Sequence, residues 1–140
     1  MTEFTCCVKI EFDAAHRVLG HKGKCQNVHG HRYIVEVVAQ SSQLNALGMV
    51  VDFGFLKSVV KKWIDENFDH NIILCSQDSE LGSAISSITK QNVYYLPYNP
   101  TAENIAFYLK NNVLSTIVAS EDFAICEVKV HETNNCWAKV

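Results

Sequence analysis

The chain has 140 residues, with 12 basic and 15 acidic side chains and a formal net charge of -3. This length suits a single domain, residues 1–140, that buries an ordinary hydrophobic core. It has no long run of like charge and no apolar run of about 18 residues, which argues against nucleic-acid and membrane partners and favours a small-molecule ligand.

The six cysteines do not predict a disulfide framework. Cys6 and Cys7 are adjacent, no Cys-x-x-Cys pair occurs, and the N-terminus lacks the pattern of a secretion signal. We therefore expect a cytoplasmic protein with reduced thiols. Cys75 and Cys126, like Cys6, lie in apolar surroundings and are expected to be small core residues. Cys25 lies instead in a polar loop beside histidines and lysines, the accessible, electropositive setting of a reactive thiol.

Two strands are predicted near the N-terminus. From Phe4 to Phe12 apolar and polar residues alternate, and from His31 to Gln40 β-branched and aromatic residues dominate. Because the connecting loop is too short for a crossover helix, the two strands are expected to pair antiparallel. His16 and the His29-Gly30-His31 run then meet near one end of the pair.

The middle of the chain predicts a short strand from Met49 to Val51 and a helix from residue 53 to 67 with Asp52 as its N-cap. Apolar residues of this helix recur at helical spacing: Phe53, Leu56, Val60, Trp63 and Ile64. Residues 75–91 are rich in Ser, Gln and Asp around a weak apolar period, and they predict either a short helix or an ordered loop.

The C-terminal part predicts a strand from Val93 to Leu96, a second helix capped by Thr101 and a final strand over about residues 123–132. The expected core face of the second helix comprises Ala102, Ile105, Ala106, Leu109, Val113 and Ile117. In the final strand the expected apolar face comprises Ala124, Cys126, Val128 and Val130.

Three histidines predict a metal site. Residues two apart on a strand face the same way, so His29 and His31 can reach one ion, and His16 ends the facing strand. Three neutral imidazoles leave one position of a tetrahedral zinc open, as a catalytic site requires. Zinc is the expected ion, although residue types alone leave iron, nickel and copper open. His21 is expected to be exposed and not to bind the metal.

Two further groups could carry chemistry. In Asp69-His70 the carboxylate can orient the imidazole for acid–base work, or both residues are solvated at a helix C-terminus. Glu132 continues the apolar face of the final strand, so it either binds a ligand with an amidine-like donor pair or lies at a frayed strand end. The helix dipole is enough to explain Glu103. Four basic residues flank the histidines and are either solvated or suited to a phosphorylated substrate: Arg17, Lys22, Lys24 and Arg32.

Six segments together closely resemble the 6-pyruvoyl-tetrahydropterin synthase family over nearly the whole chain: FDAAH (12 to 16), CQNVHGH (25 to 31), VVDFGFLK (50 to 57), FDHNIIL (68 to 74), NPTAEN (99 to 104) and HET (131 to 133). The VVDFGFLK segment and the Cys-x3-His-Gly-His spacing are most similar to its bacterial branch, the 6-carboxy-5,6,7,8-tetrahydropterin synthases of queuosine biosynthesis.

The resemblance implies roles for individual residues. The implied Zn2+ ligands are His16, His29 and His31. The implied catalytic thiol and its proton relay are Cys25, Asp69 and His70. The implied substrate-binding residues are Glu132, which would anchor the pterin, and Thr101 and Glu103, between which Ala102 replaces a frequent serine.

The resemblance also implies an α+β T-fold (tunnelling fold): a four-stranded antiparallel sheet with two helices on one face, in an oligomeric barrel. The usual assembly is a homohexamer of two trimers with active sites between subunits. The implied reaction is the zinc-dependent conversion of 7,8-dihydroneopterin triphosphate to 6-carboxytetrahydropterin, with release of triphosphate and acetaldehyde. Two alternatives are a synthase that stops at 6-pyruvoyltetrahydropterin and a non-catalytic, zinc-containing pterin-binding module.

Overall fold

A computed structural model describes residues 2–140. Its strands are β1 (Phe4–His16), β2 (His29–Ser41), β3 (Asn71–Cys75), β4 (Tyr94–Leu96), β5 (Ala124–Thr133) and β6 (Cys136–Lys139). Its helices are α1 (Phe53–Asn67), α2 (Ser79–Thr89) and α3 (Ala102–Tyr108), and α3 continues through a π-helical stretch (Leu109–Leu114) into a last turn (Ser115–Ile117). The strands form one sheet in the order β4-β3-β1-β2-β5-β6.

The centre of the sheet is antiparallel, as predicted. β1 pairs with β2 along their whole length, from Phe4 opposite Ser41 to His16 opposite His29. β5 and β6 extend this antiparallel unit on the other side of β2. The register therefore places two of the three predicted metal ligands directly opposite each other.

Alternation along these strands gives the sheet two different faces. The buried residues of β1, β2 and β5 pack with α1 and α3 in one core, and we call this side the helix face: Val8, Ile10, Phe12, Tyr33, Val35, Val37, Val128 and Val130. The intervening residues point to the opposite side, the open face, and include Asp13, Arg32 and Glu36. Side chains on adjacent positions of one strand thus serve different surfaces.

α1 has the predicted bounds. The Asp52 carboxylate accepts a hydrogen bond from the Phe55 N–H, and the buried stripe begins at Leu56. Phe53 is 61% exposed, so it does not belong to the core. The strand predicted from Met49 to Val51 is wrong: the Asn45 side chain accepts from the Met49 N–H and closes a turn, which competes with strand pairing.

Within residues 2–140 the sheet has six strands, two more than the four-stranded sheet of the implied fold. β3 pairs parallel with β1, and β4 pairs parallel with β3, so two short strands extend the antiparallel unit. Residues 79–89 form the helix α2, the first of the two alternatives for this segment. Tyr94 packs against Trp63 and Phe68 on the helix face, which turns Tyr95 toward the open face, where Gly82 of α2 lies against it. α2 is therefore a third helix, on the opposite side of the sheet from α1 and α3.

Two irregularities make parts of the predicted core faces near the C-terminus wrong. The π-helical stretch changes the rotation of the helix, and Ile117 is left 37% exposed. A β-bulge in β5 places Ala39 opposite Ile125 and Val38 opposite Glu127, so Ile125 packs on the core while Ala124 is exposed.

All six cysteines are free; Cys75 is buried as expected, whereas Cys6 and Cys126 are only partly buried. Among residues 2–140, the helices are too short or too polar to span a bilayer.

Candidate functional site

Three imidazoles converge where β1 ends and β2 begins. The ring centroids of His16 and His29 are 4.7 Å apart, those of His16 and His31 are 5.1 Å apart, and those of His29 and His31 are 4.9 Å apart. One potential ligand atom from each ring lies within 4.8 Å of the other two. The structure thus brings together the three histidines that the sequence selected.

Backbone carbonyls orient two of these rings. His16 Nδ1 lies 2.7 Å from the carbonyl oxygen of Pro100, and His29 Nδ1 lies 2.7 Å from that of Asn27. Because a carbonyl oxygen only accepts, each Nδ1 carries the proton and donates it. Each Nε2 therefore keeps its lone pair for a ligand, the usual arrangement of a metal-binding histidine.

The His16 Nε2 atom is buried and has no hydrogen-bond partner. Such a buried acceptor is costly unless something binds it. A divalent transition metal held by three imidazole nitrogens fits this donor set. Burial also lowers the pKa of His16 to about 4, and burial lowers the pKa of His31 although Glu132 acts in the opposite sense. Both imidazoles are consequently neutral at neutral pH, the form that binds a metal.

Glu132 faces the same cluster. As predicted from its phase in β5, its carboxylate points to the helix face, where Oε2 lies 3.4 Å from His16 Nε2 and 3.9 Å from His31 Nε2. The side chain is 27% exposed, so one part of it remains accessible to a ligand. Glu132 is thus placed beside the Nε2 atoms of His16 and His31.

Tyr33 is a neighbour that the sequence analysis did not select. It follows His31 by two positions on the same face, and its ring meets those of His16 and His31 edge to face. Its hydroxyl is buried without a partner, and burial raises its pKa, so the hydroxyl stays protonated. The strand period itself was the signal that could have found it.

Cys25 lies in a short turn, Lys24–Gln26, within the exposed loop that joins β1 to β2. Its carbonyl oxygen accepts a 2.8 Å hydrogen bond from the Val18 N–H. The main chain of Cys25 is thereby tied to a residue two positions beyond His16. His21 is exposed in the same loop, as expected, and its Nδ1 accepts from the Gly23 N–H.

Asp69 and His70 form a hydrogen-bonded pair, with Oδ1 of Asp69 3.0 Å from Nδ1 of His70. The same oxygen accepts from the Asp13 N–H at 3.1 Å. Burial opposes ionisation of Asp69, but the hydrogen bonds from Asp13 and His70 outweigh it and lower the pKa of this carboxyl. His70 adopts a left-handed backbone with φ of 59°, and its N–H donates to the Asp13 carbonyl at 2.7 Å. Strained backbone of this kind is concentrated at functional sites.

His70 of this pair lies beside residues of the open face. It lines a cavity of about 590 Å³ together with Gly30, His31 and Arg32. His31 and Arg32 are consecutive strand residues and point to opposite faces. The imidazole ring of His31 therefore points to the helix face, whereas Arg32 beside His70 points to the open face.

The last two candidates lie at the start of α3. The Thr101 hydroxyl accepts from the Asn104 N–H at 3.1 Å, and Thr101 follows directly on Pro100, the residue that orients His16. Glu103 is exposed in the first helical turn. Thr101 is therefore close to the histidine cluster along the chain, whereas Glu103 has no contact that requires a ligand.

Comparison with known proteins adds to this geometry. The family model described as 6-pyruvoyl tetrahydropterin synthase matches residues 5–140. The chain belongs to the 6-pyruvoyl tetrahydropterin synthase family. Its relatives include the 6-carboxy-5,6,7,8-tetrahydropterin synthase of Rickettsia felis, with 49% identity over 96% of this chain and 98% of the relative. The protein of the same name from Haemophilus influenzae is 36% identical, with 93% of each chain covered.

Members of this family also share the fold. The 6-pyruvoyl tetrahydropterin synthase of Caenorhabditis elegans superposes with a TM-score of 0.73 at 23% identity, covering 100% of this chain and 96% of that one. The predicted α+β T-fold is confirmed. Relative to the four strands and two helices of the implied fold, this chain has β3, β4 and α2 in addition, and β4 confirms the strand predicted from Val93 to Leu96.

Proposed function

We propose that this protein is a zinc-dependent lyase of the 6-carboxy-5,6,7,8-tetrahydropterin synthase type. It converts 7,8-dihydroneopterin triphosphate to 6-carboxytetrahydropterin and releases triphosphate and acetaldehyde, a step of queuosine biosynthesis. The names of the relatives from Rickettsia felis and Haemophilus influenzae support this activity. The observation that carries the proposal is the convergence of three oriented imidazoles beside the Glu132 carboxylate.

Zinc is the proposed ion because all three protein ligands are imidazole nitrogens, namely those of His16, His29 and His31. When bound, it would supply a Lewis acid that binds the side-chain hydroxyls of the substrate and acidifies the adjacent C–H bond.

The other residues have separate tasks in the proposed reaction. Glu132 accepts hydrogen bonds from the 2-amino group and ring N3 of the pterin, which fixes the ring beside the imidazoles. Cys25 as a thiolate and His70 as its acid–base counterpart move protons during elimination. Asp69 holds the His70 ring through the 3.0 Å hydrogen bond. Thr101 and Glu103 complete the proposed substrate pocket.

The proposed active site lies between subunits of a cytoplasmic homohexamer, arranged as two trimers of this single domain. The position of His70 beside Arg32 of the open face, with the imidazole rings directed to the helix face, supports this assembly, because a neighbouring protomer can bring its own His70 to the imidazoles. Each active site would then combine the helix face of one protomer with the open face of another.

A second candidate is a synthase that stops at 6-pyruvoyltetrahydropterin. The family description and the name of the C. elegans neighbour favour it. Both reactions need the same metal and acid–base groups, so the products distinguish them. Incubation of the zinc-loaded protein with 7,8-dihydroneopterin triphosphate, followed by an acetaldehyde assay, is the deciding measurement: release of triphosphate without acetaldehyde would replace the first activity by the second.

Two substitutions test the assigned residues. Cys25→Ala is expected to lower turnover by about 100-fold or more while zinc remains bound, because it removes an acid–base group without touching a ligand. His29→Ala is expected to lose both zinc and turnover. Cys136→Ala, which changes another exposed thiol, is the matched control and should retain activity. Pterin binding without any turnover in the wild-type protein would instead identify the non-catalytic module.

A further inference from the structure

An ion pair joins Arg17, the residue that follows His16, to the buried carboxylate of Asp78 in the turn before α2. Asp78 is 5% exposed, and its two carboxylate oxygens accept from Nε and Nη2 of Arg17 at 2.6 and 2.5 Å. This two-point contact fixes both the position and the plane of the guanidinium. Arg17 is thereby fastened to the short turn Ser76–Asp78, which comes directly before α2.

A second anchor is two residues further along. Asn99 Oδ1 accepts from the Leu19 N–H at 2.9 Å, and Asn99 Nδ2 donates to the Leu19 carbonyl at 3.0 Å. The backbone of Asn99 is itself held at the start of α3, because its carbonyl accepts from the Asn104 side chain at 2.9 Å. The Asn99 side-chain amide therefore pairs with both the N–H and the carbonyl of Leu19, as the backbone of a neighbouring strand would, although both residues lie outside the sheet.

The loop beyond these anchors has little else to hold it. Residues 20–28 are all exposed, and their hydrogen bonds remain within the loop and to Val18 and His29 at its ends. Gly20 adopts a φ of 87°, which favours glycine where the chain turns away from Leu19. The position of Cys25 thus depends on the bond from its carbonyl to Val18, which lies between the two anchored residues.

We propose that Asp78 and Asn99 are positioning residues for Cys25. They hold Arg17 and Leu19 in place. Because Val18 lies between these two residues and its N–H donates to the Cys25 carbonyl, they determine where the thiol lies relative to the three imidazoles. The inference rests on the proposed function, in which Cys25 is the catalytic thiol. It assigns a task to Asp78 and Asn99, neither of which has an assigned role in the sequence analysis.

Asp78→Asn and Asn99→Ala test the inference. Each should lower kcat on the order of tenfold or more, because a displaced catalytic group loses its alignment with the substrate. Trypsin cleavage after Lys22 and Lys24 should become about tenfold faster, because the loop opens locally more often. Zinc affinity, measured by competition with a chelator, should stay within about threefold of wild type because the Pro100 carbonyl still orients His16.

The controls separate a local effect from loss of the fold. Glu127→Gln removes the exposed ion pair with Lys139 on β5 and β6 and should alter neither kcat nor cleavage. Should Asp78→Asn fail to fold, Asn99→Ala still tests the inference, since it removes only the two hydrogen bonds to Leu19.

Unchanged cleavage and kcat in Asn99→Ala would overturn the inference, as would a fall in kcat matched by equal losses of zinc affinity and thermal stability. Failure of the proposed function would look different: Cys25→Ala would keep full turnover, or the wild-type protein would have none, while the cleavage assay still reported on the loop.

Discussion

Backbone carbonyls set the tautomer of two of the three clustered histidines. Pro100 and Asn27 each accept the Nδ1 proton of one ring, which leaves His16 Nε2 and His29 Nε2 free to bind. Because a carbonyl oxygen only accepts, it favours the Nδ1–H tautomer of each neutral ring. The Glu132 carboxylate lies at the same place, with Oε2 3.4 Å from His16 Nε2.

Another histidine–carboxylate pair lies on the open face. His131 Nε2 is 2.6 Å from Oε2 of Glu36, and both side chains are less than one-fifth exposed, at 19% and 17%. The hydrogen bond from His131 lowers the pKa of Glu36 below 4.5, burial opposes the shift, and Lys9 adds to it. This pair gives a pH-dependent term in stability that is independent of the metal.

A group with a depressed folded-state pKa stabilises the protein above its unfolded pKa and loses this contribution as the pH falls through the folded value. The wild type should therefore exceed Glu36→Gln in unfolding free energy by about 1 kcal/mol near pH 6, and the difference should shrink toward pH 3. Urea denaturation of metal-free protein measures it. Glu66→Gln, at an exposed position of α1, should show no such trend, and a difference that grows on acidification would contradict the assignment.

Among the elements, the packing of α2 against β4 depends on a close contact between Gly82 and the Tyr95 side chain. A Cβ added to Gly82 would lie 1.8 Å from the Tyr95 hydroxyl oxygen and 2.6 Å from the ring carbon that carries it. Glycine at this position is therefore a packing requirement. The pair holds α2 against β4, and α2 in turn begins directly after Asp78.

Gly82→Ala is expected to destabilise the protein by about 1–3 kcal/mol from overpacking, although alanine favours a helix by about 1 kcal/mol. In a Tyr95→Ala background the same change should be neutral or stabilising, because the clash is gone and the helix preference remains. A double-mutant cycle of urea unfolding free energies measures this. Ser83→Ala, at an exposed position of the same helix, is the matched control, and equal effects of Gly82→Ala in both backgrounds would show that the contact with Tyr95 is not limiting.

At the scale of the whole molecule, the proposed functional residues are distributed over the two faces of the sheet. The imidazole rings and Glu132 lie on the helix face, whereas His70 lines a cavity that includes Arg32 of the open face and also His31. In the proposed reaction, His70 has to act beside the imidazole rings on the helix face. The proposed hexamer resolves this by juxtaposing unlike faces of neighbouring protomers.

Complementation tests this arrangement. Cys25→Ala and His70→Ala should each be inactive as a pure protein, yet mixed oligomers should regain about a quarter of wild-type activity, because about one site in four receives both intact groups. Differently tagged, co-expressed chains provide the mixed oligomers, and sedimentation gives their size. A mixture of Cys25→Ala and Cys25→Ser chains should stay inactive. Mixed oligomers of the first pair without any activity would mean that each active site is complete within one protomer.

The sequence by itself determined the features that depend on local order. Strict alternation predicted β1 and the face of Glu132, the Asp52 cap and helical spacing predicted α1, and the short loop predicted the antiparallel pair that brings His16 to His29. The contacts between distant segments were decided only by the tertiary structure. β3 joins β1 in parallel, the Pro100 carbonyl reaches His16 across 84 residues, and Asp78 reaches Arg17 across 61. The physical reason is that periodicity records which face of an element is apolar, whereas pairing partners and carbonyl acceptors leave no mark in the local pattern.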